Sequence, residues 1–282
     1  MSGLEIRAKV STYALEIGSG SSFLDLANIS FVGTAITAGS DDAEVRSGGD
    51  ASVHNIRFES LNFSYPAASR RMLQDLSPIS SMAVWTNSSK IWTNHSFVDV
   101  AWKYADGTAL QFQGLGGHFD NCVWEWNSWT GTLASAAPGA WQNGGTFVVG
   151  SSPKPETEVM FNRLSFANNG ASKALRPPKP SFPLYVELVH FERQLSLADD
   201  GCFVETGGPD SAHMRYNWCT GSGKSAFRFD GDDKTGTSNG EMSFNVVWNN
   251  SGLSVKGNHQ SASRPSQPLS LSLDGGAGCS MT

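Results

Sequence analysis

The sequence predicts an all-β protein built as a parallel β-helix, a solenoid in which short strands stack coil upon coil. Three observations support this prediction: a short phrase recurs along the chain, glycine ends each full copy, and a second strand-like phrase built around asparagine follows most copies. The phrase reads small residue, large apolar, any residue, apolar, any residue, glycine, and its copies begin at Ala109, Cys202, Ala226 and Gly252, with a looser copy at Thr146. A fixed phrase at intervals of roughly 24 to 28 residues is typical of a stacked repeat.

The two apolar columns of the phrase are expected to face one core, because side chains two residues apart on a strand share a face. The first predicted column is Leu110, Phe147, Phe203, Phe227 and Leu253, and the second is Phe112, Val149, Glu205, Phe229 and Val255. Glu205 stands out, since a buried carboxylate is costly without a partner. Either the Glu205 carboxylate meets a partner such as Arg215, or the strand contains a local bulge, or its register is shifted. The recurring asparagines are predicted to form a hydrogen-bonded ladder at one corner, and they are Asn121, Asn162, Asn217 and Asn245.

Composition supports this fold class and excludes several functions. The 282 residues include 30 glycines, carry a net charge of −6 and are only 16% charged. No basic stripe is present, so we expect no nucleic-acid partner. The longest apolar runs are far shorter than the roughly 18 residues of a membrane span, so no membrane partner is expected either. The N-terminus lacks the apolar segment of a signal peptide. Four cysteines without zinc-like spacing are predicted to be buried free thiols, with a Cys202–Cys219 bridge as the alternative.

One domain is predicted over residues 1–260, followed by a disordered Ser-, Pro- and Gly-rich tail over 261–282. Loop insertions are expected at 66–84, 131–144 and 171–183, where the repeat is interrupted. Coil-like sequence begins close to Met1 and stops near His259. The solenoid is therefore expected to have truncated or weakly capped ends.

Several phrases resemble a known group of proteins. They are Arg215-Tyr-Asn-Trp, Ala226-Phe-Arg-Phe-Asp-Gly, Gly240-Glu-Met-Ser-Phe-Asn-Val-Val-Trp-Asn and Gly252-Leu-Ser-Val-Lys-Gly, together with the segment from Leu4 to Phe31. These resemble the right-handed parallel β-helix proteins of the pectin-lyase-like superfamily, over roughly residues 4–259. The resemblance implies a single-stranded right-handed β-helix, a polysaccharide partner and secretion, with the chain a monomer. It does not choose among lyases, epimerases, hydrolases and non-catalytic solenoids, so activity has to be argued from a site.

The first candidate site lies in the outward columns of the copies at Ala226 and Gly252. Neighbouring coils are about 4.8 Å apart, so Arg228, Asp230 and Lys256 are expected to form one charged cluster. In a lyase or epimerase acting on a uronic acid, Arg228 would neutralise the carboxylate and Lys256 would remove the adjacent proton. Asp230 would orient the lysine or bind a cation. The alternative is an ion-pair ladder without catalytic function.

A glycoside hydrolase is the second hypothesis, because it needs two carboxylates across the scissile bond. Asp200, or its neighbour Asp199, would pair with Asp230 in that role. Asp230, Asp232 and Asp233 fall within four residues, and calcium is the cofactor that such a group would hold, although the spacing lacks the further ligands of an EF-hand loop.

Tryptophans provide the third signal, because their rings stack on the apolar faces of sugars. Trp124, Trp126 and Trp129 are candidate substrate contacts, with plain core packing as the alternative for each. Gln113, in an outward column, is a further candidate contact. A binding or structural solenoid without catalysis is the third hypothesis, and it would bury these tryptophans and lack a charged cleft.

Overall fold

The computed structural model describes seventeen ranges of the chain. They are residues 3–7, 13–18, 20–38, 53–65, 84–86, 92–105, 109–112, 115–127, 145–149, 159–170, 173–176, 184–194, 202–207, 212–222, 225–230, 240–249 and 255–258. All the regular structure in these ranges is β-strand, as the sequence predicts. Within them no helix is long and apolar enough to cross a membrane. The predicted tail over 261–282 and the predicted insertion over 131–144 lie outside these ranges.

The strands form three sheets, each of nine strands. Sheet 1 contains, in order, β1 (Leu4–Arg7), β4 (Ile29–Val32), β8 (Asn62–Ser64), β11 (Ala101–Lys103), β14 (Val123–Glu125), β17 (Ser165–Ala167), β20 (His190–Glu192), β23 (Trp218–Thr220) and β26 (Val246–Trp248). Sheet 2 contains β2 (Tyr13–Ile17), β5 (Ala35–Ala38), β9 (Val84–Thr86), β12 (Leu110–Phe112), β15 (Gly145–Val149), β18 (Lys173–Arg176), β21 (Cys202–Gly207), β24 (Ser225–Asp230) and β27 (Val255–Asn258). Sheet 3 contains β3 (Asp25–Ala27), β7 (Arg57–Glu59), β10 (Trp92–Val98), β13 (Leu115–Asp120), β16 (Val159–Asn162), β19 (Leu184–Glu187), β22 (Ala212–Arg215) and β25 (Gly240–Ser243), and β6 (Val53–His54) pairs with β10.

Neighbouring strands in each sheet are parallel. The chain passes from sheet 1 to sheet 2 to sheet 3 and then returns to sheet 1, so each circuit adds one strand to each sheet. This topology is consistent with the predicted parallel β-helix. It also places residues one circuit apart side by side, which brings distant parts of the sequence onto one face.

The core consists of buried columns, one from each sheet. Aromatic rings dominate the column of sheet 1, which contains Phe31, Phe63, Trp102, Trp124, Phe166 and Phe191, each 0–1% exposed. Successive rings in this column stack with centroids 4.5 to 6.0 Å apart. The column of sheet 3 contains Phe58, Phe97, Phe119 and Phe161, followed by Val186, Met214 and Met242. Burial of such large side chains is the dominant stabilising term in this fold.

The register of sheet 2 differs from the prediction. Leu110 and Phe147 share a column as expected, but the column continues through Leu175, Val204, Phe227 and Val255. Val204 therefore replaces the predicted Phe203, and Val255 replaces the predicted Leu253. Phe203 is nonetheless fully buried, because its ring packs on Phe191 with centroids 5.1 Å apart. The predicted insertion at 171–183 is also partly wrong, since Lys173–Arg176 forms the strand β18.

The corners between sheets use left-handed backbone. At the corner from sheet 3 to sheet 1, the residues with positive φ are Asn28, Ser60, Asp99, Asn121, Arg163, Leu188, Tyr216 and Phe244, and at the corner from sheet 1 to sheet 2 they are Gly33, Tyr65, Tyr104, Trp126, Asn168, Arg193, Gly221 and Asn249. Asparagine and glycine suit this conformation, whereas bulky side chains are strained in it.

The four asparagines of the predicted ladder do not share one position. Asn121 belongs to the first of these corner sets, and Asn162 lies in β16. The predicted asparagine ladder is therefore correct only for Asn217 and Asn245, which are hydrogen-bonded at 2.9 Å. A second ladder, of Asn127 and Asn169, lies at the other corner.

Three of the four cysteines are described, and all three are buried free thiols, as predicted. Burial raises the pKa of Cys122 to about 12 and that of Cys219 above its usual range. The alternative Cys202–Cys219 bridge is not formed.

Candidate functional site

The outer face of sheet 3 carries four titratable side chains at adjacent positions of β19 and β22. Val186 and Met214 are fully buried. Their neighbours on each strand therefore lie on the opposite, outer face. The register pairs Tyr185 with His213 and Glu187 with Arg215. These four residues, the β19–β22 quartet, form a square in which each corner carries a different chemical group.

The quartet is held together by two contacts. The rings of Tyr185 and His213 stack with centroids 4.9 Å apart and an angle of 10° between their planes. The Nε of Arg215 donates to Oε1 of Glu187 at 2.8 Å, and its Nη2 donates to the same oxygen. About a third of each of these two charged side chains is exposed. The quartet therefore presents a phenol, an imidazole and a guanidinium to one side of the sheet. Arg215 thus pairs with Glu187, a partner that the sequence did not suggest, and the pairing of Arg215 with Glu205 stays a prediction.

A second charged pair lies farther along the same face, on β13 and at the corner after β16. Nε of Arg163 donates to Oδ1 of Asp120 at 2.7 Å, and its Nη2 donates to Oδ2. The hydrogen bond from Arg163 lowers the pKa of Asp120. His118 is exposed on the same strand as Asp120. This sheet face therefore combines cationic, acidic and imidazole groups along several strands.

The candidate row on sheet 2 is placed by backbone register. Arg228 lies directly beside Lys256 on β24 and β27, and Glu205 lies beside Arg228 on β21. The repeated phrase aligns Asp230 with Lys256 when its copies are superposed, but the register aligns Asp230 with Asn258, two residues farther along the strand. The row is therefore Glu205–Arg228–Lys256, and the shifted register removes Glu205 from the core column in which the sequence placed it.

The predicted tryptophans occupy different environments. Trp124 is fully buried between Trp102 and Phe166, with ring centroids 4.5 and 4.6 Å away. Its ring faces are therefore covered by the core, and the substrate contact expected of it does not fit this placement. Trp126 is 43% exposed in a left-handed corner position.

The remaining predicted site residues lie outside the described ranges. They are Gln113, Trp129, Asp200, Asp232 and Asp233. Among the side chains that the structure describes, no group of three or more His, Cys, Asp or Glu is placed to hold a metal ion. The calcium site stays a prediction, because two of its three residues are among those not described.

Sequence reasoning missed the quartet, although a signal for it is present. The segments Leu184-Tyr-Val-Glu and Ala212-His-Met-Arg are 28 residues apart, which is one repeat, and their alternate residues are the quartet. Both strands lack the terminal glycine of the recurring phrase, in which the charged candidates of sheet 2 lie.

The fold and this face together define a class: an all-β protein of three long parallel sheets, one of which exposes a band of titratable side chains. Comparison of the chain with family models, with curated proteins and with solved structures finds no match.

Proposed function

We propose that this protein is a right-handed parallel β-helix of the pectin-lyase-like type that acts on an acidic polysaccharide as a lyase or epimerase. The observation that carries the proposal is the β19–β22 quartet, in which Tyr185 and His213 stack beside Arg215. An extended, rigid sheet face suits a linear polymer, and three long parallel sheets provide such faces. The clustered acid, base and cation are the groups that uronate chemistry requires.

The reaction begins at the carbon next to the uronate carboxylate. Arg215 neutralises that carboxylate, which makes the neighbouring C–H bond more acidic. His213 removes the proton, since a neutral imidazole nitrogen can act as a general base. In a lyase the electron pair of the broken C–H bond forms a carbon–carbon double bond, the glycosidic C–O bond breaks, and the Tyr185 hydroxyl protonates the leaving oxygen. In an epimerase the C–O bond stays intact, and a water molecule instead returns a proton to the opposite face of the same carbon.

The row Glu205–Arg228–Lys256 on sheet 2 is the alternative location for the same chemistry. Arg228 lies directly beside Lys256, so one residue would neutralise the carboxylate and the other would remove the proton. Asp230 then has no direct role beside Lys256, since it aligns with Asn258. A site at the quartet predicts that His213→Ala is inactive, whereas a site at the sheet 2 row predicts that Lys256→Ala is inactive.

A glycoside hydrolase is the second candidate function. Asp120 and Glu187 share a column with Asn162 between them, so their strands are roughly 10 Å apart, near the upper limit for an inverting hydrolase. Arg163 lowers the pKa of Asp120, which disfavours it as the acid that must hold a proton. The pair Asp200 and Asp230 stays the other hydrolase prediction.

The test is incubation of the purified protein with polygalacturonate, alginate and neutral glucans. Ultraviolet absorbance reports the unsaturated product of a lyase, solvent deuterium incorporation reports an epimerase, and a reducing-end assay reports hydrolysis. We expect the lyase or epimerase signal from a uronate polymer, with a loss of roughly 100-fold or more in His213→Ala and Tyr185→Phe.

The matched control is His118→Ala, an exposed histidine on the same sheet face, which should retain activity. Loss of the signal in Lys256→Ala, with full activity in His213→Ala, would move the site to sheet 2. Binding to a polymer without any product would contradict catalysis and favour the non-catalytic solenoid.

A further inference from the structure

Two tryptophans are exposed on the outer face of sheet 1, near the quartet in the fold. Trp218 on β23 is 48% exposed and Trp248 on β26 is 67% exposed. Cys219, next to Trp218, is fully buried, so Trp218 lies on the outer face. The register aligns Trp218 with Val246 and Thr220 with Trp248. The two tryptophans are therefore diagonal neighbours on adjacent strands, with backbones roughly 8 Å apart.

The ring faces of these tryptophans distinguish them from the other exposed aromatics. Tyr216 and Phe244 stack on each other with centroids 5.1 Å apart and planes 5° apart, so each ring covers one face of the other. Tyr65 and Tyr104 do the same, at 4.6 Å and 11°. Within the described part of the chain, neither Trp218 nor Trp248 stacks on another ring. Indole faces are the surfaces that pack on the C–H faces of sugars.

Trp218 and Trp248 form a tryptophan patch that is continuous with the quartet. Tyr216 directly follows Arg215 at the corner, and Trp218 comes two residues later on the next sheet. At this corner Leu188 and Tyr216 adopt left-handed backbone, with φ values of 56° and 59°, and both are 53% exposed. A polymer bound at the quartet and extended around the corner therefore reaches Trp218.

Polar groups border the patch and indicate the chemistry of its ligand. His190 shares the column of Trp218, and Glu192 and Thr220 share the column of Trp248. Glu192 also pairs with Arg193 at 2.8 Å. An apolar protein surface packed here would desolvate these charges at a cost. A sugar has both an apolar ring face and a polar rim, so it satisfies the indoles and the charged border together.

We propose that Trp218 and Trp248 form a sugar-stacking subsite that holds the acidic polysaccharide beside the quartet. This inference rests on the proposed function for the identity of the polymer. It assigns to the tryptophans binding alone, so their loss should raise KM and Kd while kcat is retained.

The experiment measures the Kd of the wild type and of the Trp218→Ala/Trp248→Ala double variant for polygalacturonate, alginate and neutral hydroxyethyl cellulose by affinity electrophoresis. We expect the wild type to bind a uronate polymer, and the double variant to bind it about tenfold more weakly, equivalent to about 1.4 kcal/mol. The Tyr65→Ala/Tyr104→Ala double variant is the matched control. It removes two exposed aromatics that stack on each other, away from the quartet, and it should bind like the wild type.

The binding measurement tests the subsite independently of the proposed reaction. Weakened binding in the double variant supports the subsite even if no product forms, and in that case only the proposed catalysis fails. The subsite is overturned if the double variant binds as tightly as the wild type, or if the wild type binds none of the three polymers. It is also overturned if sedimentation shows a wild-type dimer that the double variant dissociates without any change in glycan binding. The single variant Trp248→Ala, at the more exposed position, replaces the double variant if the latter does not fold.

Discussion

His95 is a single residue that links two strands from inside the core. It is 2% exposed, its Nδ1 accepts a hydrogen bond from the Ile56 amide, and its Nε2 lies 3.2 Å from the Val53 carbonyl oxygen. This arrangement requires a neutral ring that donates through Nε2. Burial lowers the pKa of His95 to about 4. The residue therefore ties the stability of the protein to pH.

Acidification is expected to destabilise the protein through His95. The ring takes up a proton near its ordinary pKa of 6.5 in the unfolded chain, but only near pH 4 in the folded protein. The stability is therefore fully present above pH 6.5 and decreases as the pH falls towards 4, by roughly 2 kcal/mol between pH 7.5 and pH 5. Urea unfolding at both pH values measures this change. His95→Gln should lose most of the dependence, whereas His118→Gln should keep it; equal slopes in all three proteins would contradict the assignment.

At the scale of the structural element, the corner asparagines connect neighbouring coils. Oδ1 of Asn217 accepts from the Val189 amide at 2.9 Å, and its Nδ2 donates to the Val186 carbonyl at 2.9 Å. Asn245 continues the pattern by donating to the Met214 carbonyl at 2.7 Å. These bonds satisfy backbone groups at a turn that the sheet ladders do not reach. The asparagines therefore hold the corner together.

Asn217→Ala is expected to reduce the free energy of unfolding by about 3 kcal/mol, because it leaves a buried amide and a buried carbonyl without their partner. The control is Asn162→Ala, at a half-buried strand position where the side chain reaches Asp120 at 3.3 Å. That change should cost less than about 1 kcal/mol. Urea titrations followed by tryptophan fluorescence compare the two. A similar loss in both variants would show that the corner position has no special role.

At the scale of the whole molecule, buried side chains from the three sheets form one apolar core cluster that includes two of the described cysteines. Cys122 and Cys219 belong to this core, and burial raises the pKa of both thiols. A thiol reagent acts on the thiolate and needs access to it. Reaction of these residues therefore requires the sheets to separate.

In a Cys279→Ser variant, which removes the one cysteine outside the described ranges, we expect the native protein to resist a thiol reagent at pH 8. Labelling of the three remaining thiols should follow the same urea dependence as the loss of β structure. Mass spectrometry after timed labelling identifies which cysteine reacts. Rapid reaction of Cys122 in the absence of urea would contradict its burial in the core.

Much of the fold was predictable from short-range patterns. The alternation of apolar residues and the recurring glycines predict all-β structure with stacked strands, and the described residues confirm an all-β chain with long parallel sheets. The candidate site was less predictable. Glu205 was assigned to the core because a slip of one residue in register exchanges the two faces of a strand. The quartet was missed because its two strands, although one repeat apart, lack the glycine that marks the recurring phrase.

By itself, the sequence determined the class of structure, because strand alternation and turn preference depend on residues within a few positions of one another. Only the tertiary structure decided which side chains meet. It aligned Arg228 with Lys256, placed Trp124 inside the core and left Trp218 and Trp248 on its surface. The physical reason is that register between parallel strands is set by how whole side chains pack across a coil. The length of chain between two strands does not determine that packing.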